Sequence, residues 1–554
     1  MVNVLSRECK FVLYLPKNEG KNEDTHFIKE RVTYSDGRVE DNLKVLSNFE
    51  RPFWITKPHF QKHKDKKESE ELDKLNMFKA TQSDLPKAIA ARLGGNRWIG
   101  KKTMRDMSAS QYLYGTDVDT RTIIKHMYKK KYPNANTPNR VAALDIETDT
   151  ETDEILVITV ANKDNIFTAI LSRLIPNKRD IENQLQYLFD KYIPRTEFNK
   201  DMKPVFAIFE NEMEVIEAAI NKLHEWKDDF AAVWNINYDI PHIVKRCQKH
   251  GVDPKYIFSE PSLPNNLKYF NYKEGSAKKT TDSGKNKPKN PHELWHIVNT
   301  PAYHYWIDAM CAYNFVREGS KQLPGGYSLN NVLQVELGSR LKKLKFEDEV
   351  DIPLDGLEWH QYMVKNKPLE YIIYNIWDVM SMLELDNKTL DLKVSISALA
   401  GDSPYEIFNS GPRKIVNSLH FYYLDNKKVL GVRPPITEEV EHAGLGGWIN
   451  ILEANYIKDS YGNRLIEDNN LTSNIKTYVF DLDAVSSYPS DTIAANVSKD
   501  TTRKELLSID GMELEDYRLK NINIFFGNVN SIDYCTSMFN FPTIEEILQE
   551  VSKC

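Results

Sequence analysis

The stretch Val141–Asp149 reads VAALDIETD, an apolar run followed by two carboxylates with one residue between them. The apolar run predicts a buried β-strand. Residues i and i+2 of a strand point to the same face, so Asp145 and Glu147 are expected to stand side by side. Adjacent carboxylates repel unless one is protonated or a cation lies between them, and Mg²⁺ prefers such oxygen ligands. A solvated acidic turn at a strand end explains the same pattern, so the pair alone leaves both interpretations open.

The segments that follow predict alternating strands and helices. Ile155–Val160 reads as a second buried strand, joined to the first through the acidic turn Thr148–Glu154 in a hairpin. Glu212–Trp226 has helical spacing, and Phe230–Trp234 is another buried strand. Together they predict an α/β domain around the two carboxylates.

Two further aspartates lie at predicted helix positions. A helix is predicted over Ile240–His250, with Gly251 at the C′ position and Asp239 at the N-cap. Capping alone would account for Asp239. A second helix, Leu369–Leu385, carries a tyrosine and an aspartate four residues apart on one face, Tyr374 and Asp378, a spacing that is common by chance.

Composition limits the class of protein without naming a function. The 554 residues are 41% hydrophobic and 28% charged, which indicates a globular chain of about three or four domains. No apolar run reaches the length of a membrane span, and the N-terminus lacks a secretion signal. The five cysteines are far apart, which favours a reducing compartment and argues against a zinc site. The net charge of −7 does not exclude a basic channel for nucleic acid.

Two stretches are ambiguous in the sequence. Tyr114–Asp119 reads YGTDVD, an acidic cluster that we interpret as non-catalytic. Residues 261–296 are rich in lysine, with Tyr269, Phe270 and Tyr272 among the lysines. A flexible solvent-exposed loop is the default interpretation, and an element that guides single-stranded DNA is the alternative.

The order of three short motifs resembles the exonuclease motifs of family B DNA polymerases. They are Asp145-Ile146-Glu147, then Asn235-x-x-Tyr238-Asp239, then Tyr374-x-x-x-Asp378. The resemblance implies a 3′–5′ proofreading exonuclease that uses two divalent ions, Mg²⁺ or Mn²⁺. It further implies the following roles. Asp145, Glu147 and Asp378 bind the first ion, Asp145 bridges to the second, and Asp239 acts on the second through water. Tyr374 orients the attacking water or the scissile phosphate, and Asn235 and Tyr238 hold the terminal nucleotides. Asp308, at the end of a predicted strand Tyr303–Ile307, is not expected to be a ligand.

A later motif resembles motif A of the polymerase half of the same family. Asp483-x-x-Ser486-x-Tyr488-Pro489-Ser490 has Ser487 where the family usually has leucine. The resemblance implies that Asp483 binds a metal and that Tyr488 lies beneath the incoming sugar. It also places Gly446 and Gly447 at the small-residue motif that links the two activities. Residues 495–501 resemble the T-even phage type of polymerase. No fingers or second palm motif follows residue 490.

The resemblance implies a multidomain α/β and α+β chain. Its expected parts are a β-rich N-terminal domain (1–140), a ribonuclease H-like exonuclease domain with a mixed sheet and flanking helices (141–385), a connecting region (386–470) and a partial polymerase palm (471–554).

The leading hypothesis is the N-terminal part of a split or fragmentary family B polymerase, which proofreads alone and polymerises only with a separate C-terminal part. Its expected partners are primer-template DNA and a single-stranded 3′ end, deoxynucleoside triphosphates, that C-terminal subunit and a sliding clamp, with no membrane. The expected location is the cytoplasm, that of an infected bacterium if a phage encodes the chain. The alternatives are a free-standing 3′–5′ exonuclease and a non-catalytic DNA-binding or scaffold subunit.

Overall fold

The structure is a computed structural model of the chain. It describes residues 2–17, 23–63, 66–94, 104–108, 110–175, 177, 179–280, 286–317, 323–346, 350, 356–407, 410–431, 525–526 and 529–530. The chain forms two compact units, Met1–Ala443 and Gly444–Cys554. This division falls within the predicted connecting region 386–470.

In the second unit the described residues are two short strands, Phe525–Phe526 and Val529–Asn530, which pair antiparallel. The residues that carry the predicted polymerase features lie outside the described residues. They are Gly446, Gly447, Asp483 and Tyr488.

The elements of the first unit are numbered in chain order. The strands are β1 Val4–Leu15, β2 Thr25–Tyr34, β3 Val39–Ser47, β4 Glu50–Thr56, β5 Ser69–Glu71, β6 Leu75–Thr81, β7 Leu113–Tyr114, β8 Val141–Thr148, β9 Ile155–Ala161, β10 Ile166–Leu171, β11 Pro204–Phe209, β12 Phe230–Val233, β13 Asn271–Lys273, β14 Lys278–Thr280, β15 Asn286–Pro288, β16 Ile297–Asn299, β17 Tyr305–Asp308 and β18 Lys428–Leu430. The helices are α1 Leu85–Arg92, α2 Met104–Ser108, α3 Thr120–Lys131, α4 Ile181–Tyr192, α5 Glu212–Trp226, α6 Ile236–Lys249, α7 Lys255–Phe258, α8 Ala309–Val316, α9 Leu329–Leu337, α10 Leu357–Asn366, α11 Pro368–Thr389, α12 Ile396–Ala400 and α13 Gly411–Asp425. Among the described helices, none has the length and apolar character needed to cross a membrane.

A mixed six-stranded sheet is the centre of the first unit. Its order is β11-β10-β9-β8-β12-β17. β9 pairs antiparallel with both β8 and β10, while β12 and β17 run parallel to β8. β9 is buried along its whole length and β8 along most of it, as expected for strands covered on both faces. The predicted hairpin of the first two strands is present, and β8 extends through Thr148, so both carboxylates lie within the strand.

Two helices cover this sheet. α5 has the predicted bounds, and its N-cap Asn211 accepts a hydrogen bond from the amide of Glu214. α11 is buried from Tyr371 through Asp386, so it is covered on every side. A helix that is buried all round belongs to the interior of a domain. The acids and tyrosines of α11 are therefore held rigidly against the sheet.

α6 begins four residues earlier than the sequence predicts. Asn235 occupies the N-cap position in a left-handed conformation (φ 69°), and Asp239 lies inside the helix. The first free amide, that of Ile236, donates to the carboxylate of Asp308 over 2.9 Å. Asp308 ends β17, the parallel neighbour of the strand that leads into α6. A cap supplied from another strand thus replaces the local cap predicted at Asp239, and Gly251 follows the helix with φ +72° as expected.

The N-terminal region is β-rich, as predicted. β1, β2 and β3 form one antiparallel sheet, and β6, β4 and β7 form another. The stretch Tyr114–Asp119 has a structural role in this region. The buried guanidinium of Arg51 donates to the carbonyls of Gly115, Thr116 and Val118. Asp119 caps α3 by accepting from the amide of Arg121 at 2.8 Å. The stretch Tyr114–Asp119 therefore stabilises the fold of the N-terminal region.

Residues 261–296 differ from the predicted flexible loop where the structure describes them. β13 pairs with β16, and β14 pairs with β15, both antiparallel. The hydroxyl of Tyr272 forms a hydrogen bond with His296 Nδ1 at 2.7 Å, and Gly275 fits closely against the backbone of Trp295. Long-range ladder pairing, which no local pattern of residues indicates, converts this lysine-rich stretch into short ordered strands.

The buried histidines of the N-terminal region predict a dependence of stability on pH. Burial lowers the pKa of His26 to about 4, while the unfolded chain has a histidine pKa near 6.5. The unfolded state therefore binds the proton first, and the contribution of neutral His26 to stability is complete above pH ~6.5 and is lost as the pH falls toward 4. Between pH 7.5 and 5 the loss is about 2 kcal/mol.

Wild type is expected to lose ~2 kcal/mol of its free energy of unfolding between pH 7.5 and 5 through His26. Replacing His26 by Gln should remove this part of the pH dependence. Denaturant unfolding at the two pH values measures it. His59→Gln, at an exposed position, is the control and should leave the pH dependence unchanged. An equal pH dependence in wild type and His26→Gln would contradict the prediction.

Candidate active site

Asp145 and Glu147 of β8 face the same side of the sheet, as strand alternation predicts. Asp145 is partly exposed and Glu147 is buried. With Asp378 of α11, one carboxylate oxygen from each lies within 4.8 Å of the others. Among the described residues, this is the one group of three acidic, histidine or cysteine side chains with that geometry.

One face of α11 supplies the other wall of the site. Tyr371, Tyr374, Asn375 and Asp378 follow one another at i, i+3, i+4 and i+7, so they share a face of the helix. The Nδ2 of Asn375 donates to Asp145 Oδ2 over 2.8 Å. The hydroxyl of Tyr371 donates to Glu147 Oε2. The helix therefore holds one oxygen of each strand carboxylate.

A lysine holds the third carboxylate. Lys343 Nζ lies 2.5 Å from Asp378 Oδ2 and 4.9 Å from the ring centroid of Tyr374. Burial acts to lower the pKa of Lys343, but the carboxylates of Asp378 and Asp145 raise it above its ordinary value. The ammonium therefore stays charged and offsets part of the negative charge of the site.

Mutual repulsion of the acids is strong despite this lysine. Burial, followed by the charges of Asp239, Asp378 and Glu147, raises the pKa of Asp145 well above its ordinary value. Burial also raises the pKa of Asp378, and Lys343 only partly opposes the rise. A site with these shifts favours a bound cation or a bound proton over the bare charges.

The donor set fits a hard divalent cation. The three ligand groups are carboxylates, and the Oδ1 atom of Asp378 is buried without a hydrogen-bond partner. Mg²⁺ and Mn²⁺ take oxygen ligands of this kind. Because one oxygen of each carboxylate is held by a neighbour, the remaining oxygens are available to a cation.

Asp239 lies beside this group without belonging to it. It is buried in the first turn of α6, and burial followed by the charge of Glu147 raises its pKa well above the ordinary value. A hydrogen bond from the amide of Ile146, the residue between the two strand acids, partly opposes the rise. Among the charges that raise the pKa of Asp145, that of Asp239 has the largest effect.

Asn235 and Tyr238, which belong to the same sequence motif as Asp239, lie at the start of α6. Asn235 takes the left-handed N-cap conformation described above. The side chain of Tyr238 is half exposed, and its hydroxyl lies 3.2 Å from Thr148 Oγ1 at the end of β8. Its ring stacks on that of His242 with 5.8 Å between centroids. Tyr238 thus presents an aromatic surface next to the acidic group.

Asp308 supports the start of α6. Its carboxylate accepts from the amides of Ile236 (2.9 Å) and Cys311 (3.1 Å). Burial raises its pKa to about 6. The side chain fixes where α6 starts and hence where Asn235, Tyr238 and Asp239 stand.

The sequence motifs do not include four residues that contact the carboxylates or their partners. They are Lys343, His360, Tyr371 and Asn375. Tyr371 and Asn375 could have been found, since they lie seven and three residues before Asp378 on the same helical face. Lys343 and His360 come from separate segments, and no local spacing indicates that they approach the site.

The fold and the site define a mixed α/β domain with a candidate divalent-cation centre. Residues 89–293 match the family model of the DNA polymerase family B exonuclease domain. The matched range contains Asp145, Glu147 and Asp239 and ends before Asp378. No curated protein matches the chain. Residues 89–293 are therefore similar to the exonuclease domain of family B DNA polymerases, a class of domain that uses divalent metals.

Proposed function

We propose that this chain is a metal-dependent 3′–5′ exonuclease that removes nucleotides from the ends of DNA. The observation that carries the proposal is the convergence of Asp145, Glu147 and Asp378, each with one oxygen held by a neighbour. The match of residues 89–293 to a polymerase exonuclease domain supports it. The order of strands β10-β9-β8-β12-β17 supports a ribonuclease H-like arrangement for this domain.

The proposed roles of the side chains follow from their surroundings. Asp145, Glu147 and Asp378 would hold the first cation, and Asp239 would act on a second through water. When bound, two divalent cations, Mg²⁺ or Mn²⁺, stabilise charge on the attacking and leaving oxygens of an in-line displacement at phosphorus.

Tyr374 is proposed to orient the attacking water or the scissile phosphate. Burial, followed by the charge of Asp378, raises the pKa of its phenol well above the ordinary value, so the hydroxyl keeps its proton and can donate. Lys343 lies close enough to Tyr374 and Asp378 to attract the phosphate while it balances the carboxylates. Both residues thus act on the reacting phosphate from the α11 side of the site.

The DNA strand is proposed to approach along the start of α6. Asn235 and Tyr238 would hold the 3′-terminal nucleotides, because the exposed ring of Tyr238 lies beside the carboxylates. The ladder of β14 and β15 carries the exposed lysines Lys278, Lys279 and Lys287. We propose that this ladder guides single-stranded DNA by contacts with phosphates.

Replacing Tyr238 by Ala is expected to raise the KM for single-stranded DNA about tenfold while kcat changes little. Loss of one base–aromatic stack has an effect of this size, ~1–3 kcal/mol. Steady-state digestion of a short oligonucleotide measures both constants. Tyr187→Ala, which removes an exposed tyrosine from α4, is the control and should leave KM unchanged. A lower kcat with an unchanged KM would contradict the binding role.

The polymerase assignment is a further part of the proposal. The motif A resemblance at Asp483 and Tyr488, with Gly446 and Gly447 before it, supports a chain that proofreads for a family B polymerase, and the resemblance of residues 495–501 supports the T-even phage type. Primer extension with deoxynucleoside triphosphates tests this assignment, and digestion without extension would favour a free-standing exonuclease.

The exonuclease proposal is tested with DNA labelled at either end. Digestion of single-stranded DNA in Mg²⁺ should release nucleoside monophosphates from the 3′ end, and a chelator should stop it. DNA that is bound but not degraded would contradict the proposal and would leave a non-catalytic DNA-binding subunit.

A further inference from the structure

A pair of residues behind Glu147 is not explained by the three acidic motifs. The hydroxyl of Tyr371 contacts Glu147 Oε2, and the same hydroxyl lies 2.7 Å from Nδ1 of His360. Nδ1 of His360 is itself 3.6 Å from Glu147 Oε2. Tyr371 comes from α11 and His360 from α10, so two helices converge on one carboxylate of a strand.

The hydrogen bonds of this group have a definite direction. A phenol has one proton, and an ionised carboxylate is a stronger acceptor than an imidazole nitrogen. Tyr371 therefore donates to Glu147, and Nδ1–H of His360 donates to the phenol oxygen.

Aromatic packing fixes the position of that hydroxyl. The ring of Tyr371 is buried and lies parallel to that of Tyr374, with 5.9 Å between centroids and 6° between planes. The buried indole of Trp359 meets the rings of Tyr371 (6.0 Å) and His360 (5.0 Å) edge to face. Neither ring can turn away without breaking these contacts, so the donor is held in place before any ligand arrives.

We propose that Tyr371 and His360 are positioning residues that orient the Glu147 carboxylate for a divalent cation. The inference rests on the proposed function in so far as Glu147 is a metal ligand. By holding Oε2, Tyr371 restricts the rotation of the carboxylate and leaves its second oxygen for the cation. Loss of an outer hydrogen bond to a ligand typically weakens metal affinity by about 10- to 100-fold.

The test is direct titration of the full chain with Mn²⁺ in the absence of DNA. Calorimetry or electron paramagnetic resonance monitors the binding. Tyr371→Phe is expected to raise the Kd of the tighter Mn²⁺ site about tenfold. The Mg²⁺ concentration for half-maximal DNA digestion should rise by a similar factor, while the rate at saturating Mg²⁺ recovers most of the wild-type value.

The chain offers a matched control for this substitution. Tyr313 is equally buried and donates to the carboxylate of Glu336 over 2.7 Å, outside the acidic group. Tyr313→Phe loses the same kind of hydrogen bond and should leave the Kd for Mn²⁺ unchanged. His360→Phe should weaken Mn²⁺ binding, whereas His360→Asn, whose amide can replace Nδ1–H, should restore most of the affinity.

The outcomes separate this inference from the proposed function. If wild type binds Mn²⁺ but digests no DNA, the exonuclease proposal fails, and the change in Kd still decides the role of Tyr371. If wild type binds and digests while Tyr371→Phe and His360→Phe bind Mn²⁺ as tightly as wild type, the positioning role is wrong. Absence of Mn²⁺ binding by wild type would overturn both.

Discussion

Replacing Asp145 by Asn together with Glu147 by Gln is expected to lower the rate of DNA digestion by about 10³-fold or more. The double change keeps the shape of both side chains and removes two of the three charges that would hold the cation. A loss of about 10³ corresponds to about 4 kcal/mol of transition-state stabilisation, which is within the range for removing an electrostatic contribution of this kind. Release of nucleotides from 3′-labelled single-stranded DNA in Mg²⁺ measures the rate.

Binding and stability distinguish this loss from misfolding. The double variant should still bind single-stranded DNA, because Asn235 and Tyr238 are unchanged. Its thermal midpoint without divalent cations should be no lower than that of wild type, since the two charges that repel Asp378 are gone. Glu151→Gln, an exposed position in the turn after β8, is the control and should digest DNA normally. Digestion by the double variant within a few-fold of wild type would refute the metal assignment.

Replacing Arg246 by Met is expected to destabilise the first unit by about 3–5 kcal/mol. The guanidinium donates to both oxygens of Glu212 at 2.6 Å, and both side chains are almost completely buried. Burial acts to raise the pKa of Glu212, but the hydrogen bonds from Arg246, Ile155 and His250 hold it below the ordinary value. Without Arg246, the buried Glu212 carboxylate would keep only its other hydrogen bonds, which do not offset the cost of burying its charge. Denaturant unfolding measures the loss.

The same ion pair connects α6, the helix that carries Asp239, to the hairpin of β8 and β9, which carries Asp145 and Glu147. Glu212 begins α5 and accepts from the amide of Ile155 at the start of β9, while Arg246 lies on α6. Lys245→Met is the matched control, because that neighbouring lysine forms an exposed, solvent-screened pair with Asp153 that contributes little to stability. Equal unfolding midpoints for the two variants would show that the buried pair is not a principal support of α6.

The central strand and helix of the site could be predicted because their patterns are local. An apolar run with two acids at i and i+2 fixes the face of β8, and apolar residues at helical spacing define α11. Both depend only on neighbours in the sequence, so the same-face arrangement of Asp145 and Glu147 follows from strand alternation alone. The bounds of α5 are likewise predictable, because its apolar spacing and its cap Asn211 are local features of the sequence.

The parts that could not be predicted depend on distant contacts. The start of α6 is set by Asp308, a cap contributed from another strand, and the sequence near Asp239 offered a more obvious local cap. The ladders of β13 with β16 and of β14 with β15 arise from pairing across a lysine-rich stretch that has no strand pattern. Lys343 and His360 reach the carboxylates from segments whose own sequence carries no sign of the site.

The cation position at the three carboxylates can be observed directly. Crystals of the wild-type chain soaked in Mn²⁺ should give an anomalous difference peak bounded by the carboxylates of Asp145, Glu147 and Asp378, next to the unpartnered Oδ1 of Asp378. The peak should be absent from crystals of the Asp145→Asn, Glu147→Gln variant treated in the same way. A wild-type map without that peak, with Lys343 still in contact with Asp378, would contradict the assignment of these three carboxylates as a metal centre.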